Sequence, residues 1–281
     1  MLVNLNDMLL DAQKHHYGIG LFNTTDTDAI EAAISAAEEL RSPIILGTAE
    51  VLLRHAELQL IGPAMVNMAK KASVPVAIHF DHGLTYEKCV EALEVGFSSV
   101  MYDCSTATYE DNVKAVAEMA AIAHSKGATI EGELGHVGDN EGSQEGNSHI
   151  DDPSKFYTDP NMAKDFVEKT GIDALAIAIG TAHGTYTCTP KLDIERLKAI
   201  RNTISTPLVL HGGSGLPKAD LRECIHNGIT KVNIFTDIYA GADAALRDFT
   251  GEYHERRAHK VAAMREVVKG KIMLFGSNGH A

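Results

Sequence analysis

The fold is constrained most by eight short apolar runs that recur along the 281 residues of this chain. Continuous runs of valine, isoleucine and leucine are typical of strands buried on both faces, as in a parallel sheet. Amphipathic segments with a helical period separate the runs, at the spacing expected of βα units. We predict parallel strands at Gly18–Asn23, Pro43–Thr48, Val74–His82, Ser98–Cys104, Ala128–Gly135, Ala174–Gly180, Pro207–Gly212 and Lys231–Thr236.

The regular alternation favours one closed (β/α)₈ TIM barrel of the α/β class, with residues 1–281 as a single domain. An amphipathic helix precedes the first strand, and two extra helices follow the eighth, near Tyr239–Phe249 and His259–Lys269. A doubly wound open sheet is the alternative, but the GxGxxG sequence that usually follows its first strand is absent. Other helices are predicted at Asp28–Leu40, Tyr86–Val95, Glu110–His124, Asn161–Thr170, Asp193–Ile200 and Lys218–His226.

Charge and cysteine content narrow the classes of partner. The formal net charge is −13, and an acidic surface repels nucleic acid and anionic lipid, so we expect neither as a partner. No apolar run is long enough to span a membrane, and the N-terminal pattern lacks the cleavage site of a signal peptide. None of the four cysteines forms a CxxC pair, which favours a reduced, cytoplasmic setting.

The longest gap between predicted strands, Gly135–Pro160, is rich in glycine, aspartate, asparagine and serine and has no apolar period. A long segment of this kind inside a compact domain is usually functional or disordered. It follows the fifth strand, at the face where barrel enzymes carry out their chemistry. We therefore predict a lid over the active site, with disorder that has no function as the alternative.

Three histidines end or follow predicted strands and should meet at the carboxyl rim of the barrel. His82 ends the third strand, His183 follows the sixth, and His211 lies near the end of the seventh. A single histidine is more often structural, but three at equivalent positions of one rim are less easily explained that way. Three protein ligands with an open position are the arrangement of catalytic zinc, which we predict here. We interpret His79, deeper in its strand, as structural or as a support of that site.

Glycine-rich segments after the seventh and eighth strands indicate an anion site. Gly212, Gly213 and Gly215 surround Ser214 just before a predicted helix, and glycines let backbone N–H groups approach an anion at a helix N-terminus. The segment Asn233–Asp237 opens a second helix. Barrels often bind phosphate between these two loops. A glycine run alone can simply form a tight turn. The prediction of an anion site therefore depends on the position of this run beside a predicted metal ligand.

Seven motifs, in order along nearly the whole chain, make the sequence resemble one family. The family is that of the class II, metal-dependent ketose-bisphosphate aldolases, which includes the fructose- and tagatose-bisphosphate aldolases. The resemblance implies a carbon–carbon lyase of carbohydrate metabolism, such as glycolysis, that acts on a phosphorylated ketose as a homodimer or homotetramer. The motifs are HFDHG (His79–Gly83), GFSSVMYDCS (Gly96–Ser105), EGELGHVG (Glu131–Gly138), AIAIGTAHGTY (Ala176–Tyr186), PLVLHGGSGLP (Pro207–Pro217), TKVNIFT (Thr230–Thr236) and LFGSNGHA (Leu274–Ala281).

The resemblance also implies a role for each matching residue. Asp81 is the implied acid/base for the hydroxyl beside the cleaved bond, and Glu141, on the predicted lid, is the implied residue that moves the proton of the enediolate. Asp103 and Glu133 match carboxylates near a second or alternative divalent metal position. The implied zinc ligands are His82, His183 and His211. The residues implied to bind the substrate, where the family also often holds a monovalent cation (Na⁺ or K⁺), are Asn23, Gly184, Gly212, Gly213, Ser214, Asn233 and Thr236.

The implied reaction is the zinc-dependent cleavage, or formation, of a ketose 1,6-bisphosphate such as fructose or tagatose 1,6-bisphosphate. Cleavage yields dihydroxyacetone phosphate and an aldehyde through an enediolate, whose developing negative oxygen a Lewis-acid metal stabilises. A carboxylate takes the proton of the cleaving hydroxyl. No Schiff-base lysine is evident at the carboxyl end of a predicted strand, since Lys231 begins its strand.

Departures from the family pattern cluster where the aldehyde half would bind. Relatives that bind a second phosphate often show an arginine near the position of His254, and Arg256 or Arg257 is the replacement candidate, with a solvated surface arginine as the plainer interpretation. An aldolase for a different ketose 1-phosphate, derived from a deoxy sugar or a sugar acid, is therefore the alternative assignment. The other departures are Thr24–Asp26, Thr48 and Phe235.

Two further classes of function remain as alternatives. A metal-dependent barrel hydrolase commonly carries His-x-His on its first strand, and Gly18–Asn23 contains no histidine. A noncatalytic sugar-phosphate-binding subunit would have no use for Asp81 beside a full set of histidines. A turnover assay would separate these classes.

Overall fold

A computed structural model describes residues 1–139, 153–186 and 189–281 and confirms the predicted barrel. Eight parallel strands close in the order β1–β2–β3–β4–β5–β7–β9–β10, with β10 paired to β1. Two short strands, β6 and β8, pair with each other in parallel outside the barrel. The strands are β1 Ile19–Asn23, β2 Ile44–Ala49, β3 Val76–Gly83, β4 Ser99–Tyr102, β5 Thr129–Leu134, β6 Gly138–Asp139, β7 Ala174–Ile177, β8 Ala182–His183, β9 Leu208–Leu210 and β10 Ile229–Ile234.

Helices surround the barrel, and several begin at capping residues visible in the sequence. The side chain of Asp26 accepts a hydrogen bond from Ala29 N at the start of α2, and Asp159 caps α6 just before Pro160. No helix of the described residues is long and apolar enough to cross a membrane. The helices are α1 Leu5–His15, α2 Thr27–Leu40, α3 Leu58–Lys71, α4 Tyr86–Val95, α5 Tyr109–Ser125, α6 Pro160–Thr170, α7 Ile194–Thr203, α8 Lys218–His226, α9 Thr236–Leu246 and α10 Tyr253–Phe275.

Two hydrophobic clusters form the core. The larger lies between the outer face of the sheet and the helices. The smaller joins α1, through residues such as Leu5 and Leu9, to side chains of the barrel interior such as Ile19, Ile45 and Ala174. Because several of these interior residues begin their strands, α1 covers the amino ends. The carboxyl ends are thereby left for a site.

The element boundaries differ from the prediction mainly near the C-terminus. Strand β10 begins two residues before Lys231, so that lysine lies inside the barrel wall and not at its edge. Thr236 belongs to α9, not to the last strand. Helix α10 begins at Tyr253, well before the predicted His259, because Glu252 and Glu255 form a capping box. The capping residues thus set the start of α10 earlier than its weak apolar period predicted.

Candidate active site

The three predicted histidines meet at the carboxyl rim. His82 lies near the end of β3, His183 ends β8, and His211 directly follows β9. The Nε2 atom of His82 is 2.6 Å from Nδ1 of His211, and one ring nitrogen from each of the three residues lies within 4.8 Å of the others. His82 has a positive φ of 41°, a strained conformation that tends to occur at functional sites. The convergence predicted from strand ends is therefore present in the fold.

Carboxylates fix the orientation of two of these rings. His82 donates through Nδ1 to Oδ2 of Asp103 at 2.7 Å, and His211 donates through Nε2 to Oε1 of Glu131 at 2.8 Å. Metal-binding histidines usually donate their second ring nitrogen to a carboxylate in this way. The remaining nitrogens turn toward each other, so the donor set of His82, His183 and His211 fits a divalent metal.

The two facing rings differ in proton affinity. Burial alone would lower the pKa of His82, but Asp81 and Asp103 raise that pKa to about 10. Burial and the charge of His82 lower the pKa of His211 to about 4. One ring therefore keeps a proton that its neighbour lacks. A bound divalent cation would displace that proton, because metal ligands must be deprotonated.

A second group of ligand atoms surrounds Glu133. One oxygen or ring nitrogen from each of His82, Asp103 and Glu133 lies within 4.8 Å of the others. Glu133 Oε1 accepts from Val137 N at 3.1 Å, whereas Oε2 is buried without a hydrogen-bond partner among the described residues. Burial and the neighbouring Asp103 raise the pKa of Glu133 to about 8. This geometry is compatible with the second divalent position that the family resemblance implied.

Asp81 is held between two asparagines. Asn23 Nδ2 donates to Oδ2 of Asp81 at 2.7 Å, and Asn233 Nδ2 donates to Oδ1 at 2.9 Å. Burial opposes ionisation of the carboxyl group, but the charges of His82 and Lys231 outweigh it and hold the pKa of Asp81 well below its usual range. Asp81 is thus an ionised, oriented carboxylate beside the histidines and can accept a proton.

A charged layer that the sequence did not reveal lies beneath the rim. Glu131 Oε2 is 2.8 Å from Nζ of Lys231, and both side chains are fully buried. His79, also buried, contacts Ser99 through Nδ1 at 2.8 Å, and burial lowers its pKa to about 3, so its ring is neutral. Glu131 stands two residues before Glu133, and this period places both side chains on the inner face of β5. That alternation is the sequence signal that could have identified Glu131.

The glycine-rich loop after β9 is closely packed. Gly212 has φ +67°, and a Cβ there would lie 2.3 Å from the carbonyl oxygen of Ala182. The backbone of Gly213 is equally confined, with a Cβ position 2.5 Å from Val232. Ser214 Oγ accepts from Phe235 N at 3.1 Å and so joins this loop to the start of α9. Only glycine fits the first two positions without rearrangement.

These elements surround a cleft of about 680 Å³. Gly213, predicted to bind substrate, and His211 and Glu133, predicted to bind metal, do not line it. Glu141, the predicted catalytic residue of the lid, lies outside the described residues. Arg257 pairs with Asp28 at 2.7 Å and Arg256 donates to a backbone oxygen, so both are engaged away from the cleft lining. The cleft is lined by Asn23, Ala49, Val51, Leu52, Arg54, Asp81, His82, Leu84, Asp103, Thr106, His136, Val137, His183, Gly184, Gly212, Ser214, Asn233, Ile234, Phe235 and Thr236.

Known proteins share this sequence and fold. Residues 3–280 match the family described as fructose-bisphosphate aldolase class-II. A fructose-bisphosphate aldolase of Staphylococcus aureus is 37% identical over 291 residues, covering 100% of this chain and 99% of that protein. The crystal structure of the YdjI aldolase from Escherichia coli K12 is 36% identical, covers 100% of both chains and superposes with a TM-score of 0.90. A putative fructose-1,6-bisphosphate aldolase from Coccidioides immitis is 27% identical over 99% of this chain and 97% of that chain, with a TM-score of 0.87.

The barrel alone would not identify the reaction, because this fold supports many different chemistries. A sequence match across the whole chain, combined with the histidine cluster, identifies the family much more specifically. Members of this family are lyases that use a divalent metal. The chain belongs to the class II fructose-bisphosphate aldolase family and is a carbon–carbon lyase.

Proposed function

We propose that this protein is a zinc-dependent aldolase that cleaves, or forms, a ketose 1,6-bisphosphate such as fructose or tagatose 1,6-bisphosphate. The products of cleavage are dihydroxyacetone phosphate and an aldehyde. The observation that carries the proposal is the position of Asp81, an ionised carboxylate held by Asn23 and Asn233 directly beside the rings of His82 and His211. A proton acceptor and a metal donor set thus adjoin one another in a cleft.

His82, His183 and His211 would hold the metal. When bound, the metal supplies a Lewis acid that stabilises negative charge developing on a substrate oxygen. Asp103 and Glu131 orient two of the rings through their second nitrogens. Asp103 and Glu133, with His82, offer the second divalent position.

Asp81 would accept the proton of the hydroxyl on the carbon that becomes the aldehyde. As that C–O bond becomes a carbonyl, the neighbouring carbon–carbon bond breaks, and its electron pair stays with the dihydroxyacetone phosphate half. That half then takes a proton to complete the ketone product. We assign this protonation to Glu141, which lies outside the described residues.

The phosphate of the dihydroxyacetone phosphate half would bind at the loops after β9 and β10. The backbone N–H groups of Gly212 and Ser214 and the N-terminus of α9 would supply donors and a positive dipole, whereas Gly213 N already donates to Asn233 O at 3.1 Å and holds the loop in place. Ser214 links the two loops. We place the monovalent cation here as well. The substrate-binding residues proposed are Asn23, Gly184, Gly212, Gly213, Ser214, Asn233 and Thr236.

An aldolase for a different ketose 1-phosphate, from a deoxy sugar or a sugar acid, is the second candidate. It is favoured by one observation. Arg256 and Arg257, the arginines considered for a second phosphate, are engaged with Phe249 O and with Asp28 and Glu31. Neither lines the cleft.

We also propose that the protein acts in the cytoplasm as a homodimer or homotetramer. The cysteines that the structure describes, Cys89, Cys104 and Cys224, are free thiols, which agrees with a reducing compartment. Light scattering coupled to gel filtration would measure the assembly. A monomer at assay concentration would refute the oligomer.

The test of function is turnover with controlled metal content. Cleavage of fructose or tagatose 1,6-bisphosphate would be measured by coupled detection of dihydroxyacetone phosphate. We expect a strong chelator to abolish this cleavage and Zn²⁺ to restore it. His183→Ala should lose both metal and turnover, whereas His226→Ala, at the exposed end of α8, should keep both. Full activity of metal-stripped protein would contradict the proposal.

A further inference from the structure

The active-site cleft has two walls of unlike chemistry. One wall consists of the glycine-rich loop after β9 and the loop after β10. The other, which we call the far wall, consists of Ala49, Val51, Leu52, Arg54 and Leu84, from the segments after β2 and β3. In the closed strand order, β2, which precedes Arg54, is three strands from β9 one way round and five the other, and β3 is four strands from β9 in either direction. The far wall therefore faces the glycine-rich loop across the barrel mouth.

Arg54 is the one lysine or arginine among the described residues that line the cleft. Its Nε donates to Nε2 of His55 at 3.2 Å. Within residues 1–139, 153–186 and 189–281, its two terminal NH₂ groups make no hydrogen bond or ion pair. This contrasts with Arg257, which is paired to two carboxylates. The free donors of Arg54 are thus available to a ligand.

The backbone that carries Arg54 is tied down. Glu50, four residues earlier, accepts hydrogen bonds from Leu84 N at 2.8 Å, from Thr85 N at 2.9 Å and from Thr85 Oγ1 at 2.9 Å. These bonds join the segment after β2 to the residues that lead into α4, whose N-cap is Thr85. A guanidinium on a fixed segment loses less conformational freedom on binding than one on a loose loop.

We propose that Arg54 binds an anionic group, a carboxylate or a phosphate, at the end of the substrate remote from C1. The inference rests on the function proposed above, because it takes the C1 phosphate to lie at the glycine-rich loop and the chain to run across the cleft. A planar guanidinium matches either anion through two parallel hydrogen bonds. Val51, Leu52 and Leu84 line the same wall, and Arg54 is exposed on it, so the guanidinium can meet a ligand without a rearrangement of buried groups.

The test compares three substrates that differ only in their remote end. They are fructose 1,6-bisphosphate, fructose 1-phosphate and a hexulose 1-phosphate whose last carbon is a carboxylate. Arg54→Ala should lower kcat/KM by about 10- to 100-fold for the substrate whose anion Arg54 binds, and by less than about 3-fold for fructose 1-phosphate. Arg54→Lys should recover part of the loss. Arg222→Ala, which removes an exposed arginine from α8, is the matched control.

The carboxylate and phosphate arms identify which anion is bound. An equal loss with all three substrates, or no loss with either anionic end, would overturn the inference. If the metal-loaded protein cleaves none of the three, the proposed function fails instead. Calorimetric binding of the same compounds then still tests Arg54, because equal affinities for the original protein and Arg54→Ala would overturn its role.

Discussion

The Nε2 atom of His211 donates to Oε1 of Glu131 over 2.8 Å, in the barrel interior where neither side chain is exposed. This bond selects the tautomer in which Nδ1 of His211 is free of a proton and faces His82. Glu131 thereby shapes the metal donor set without belonging to it.

Changing Glu131 to glutamine should weaken metal binding. The neutral amide is a poorer acceptor for the ring N–H, so we expect metal affinity to fall about 10- to 100-fold. Competition with a chromophoric chelator would measure the affinity. Glu118→Gln, on the exposed face of α5, is the control and should bind metal normally. Equal affinity of the two variants would show that Glu131 does not support the site.

Lys231→Met should destabilise the fold by about 3–5 kcal/mol, because it leaves the buried carboxylate of Glu131 without its cationic partner. The double variant Lys231→Met/Glu131→Gln should regain most of that free energy of unfolding, since it buries no unpaired charge. Urea denaturation of the metal-free proteins would give both values. Additive losses in the double variant would mean that the ion pair is not the cause.

Asp81→Asn should retain its metal and lose turnover by about 10² or more, because the amide cannot accept the hydroxyl proton. One Asp81 oxygen becomes an NH₂ group in this variant, so the asparagine that faces it must turn its side-chain amide and accept through Oδ1, which is without a partner among the described residues, and the fold should be unchanged. Metal content and kcat, measured on the same sample, would show whether the variant loses turnover while it keeps its metal. Loss of the metal together with activity would make Asp81 a support of the metal site and not the proton acceptor.

Gly212→Ala should reduce kcat/KM by about 10²-fold, because the new Cβ collides with the carbonyl oxygen of Ala182 and moves the loop proposed to hold phosphate. Gly270→Ala is the matched control. Its Cβ would meet nothing within 4 Å on α10, and alanine favours a helix interior. Normal kinetics of Gly212→Ala would exclude a role for the loop geometry.

Cys89 and Cys224 should resist alkylation by iodoacetamide at pH 8. Burial raises the pKa of Cys224 to about 12 and raises that of Cys89 as well. Because the thiolate is the nucleophile, a raised pKa leaves little reactive form at pH 8, and labelling should grow as the pH rises. Peptide mass spectrometry before and after urea treatment would show the difference. Rapid labelling of the folded protein would contradict the burial seen here.

The sequence predicted the barrel and the meeting of the histidines for one physical reason. Parallel strands bring their carboxyl ends to one face, so residues such as His82 and His211, far apart in sequence, must converge once the strands are assigned. Asp81 was predicted through its motif, and its two asparagine donors come from β1 and β10, whose carboxyl ends lie on the same face.

Other parts of the site depend on tertiary contacts that no local pattern encodes. The pairing of Lys231 with Glu131 requires knowledge of which inward-facing residues share a layer of the barrel. Arg54 follows a strand without any motif, and its place in the cleft depends on the bonds from Glu50 to Leu84 and Thr85. The apolar period also missed the early start of α10, which capping sets.

The same bonds from Glu50 bear on how the substrate range of this enzyme could be redesigned. They make the segment after β2 and the N-cap of α4 one mechanical unit. A mutant library that randomises Val51 and Arg54 while keeping Glu50 and Thr85 would vary one wall of the cleft on a fixed support. If the segment after β2 were replaced by that of a relative without the matching residues before α4, the hydrogen bonds that orient the cleft side chains would be lost.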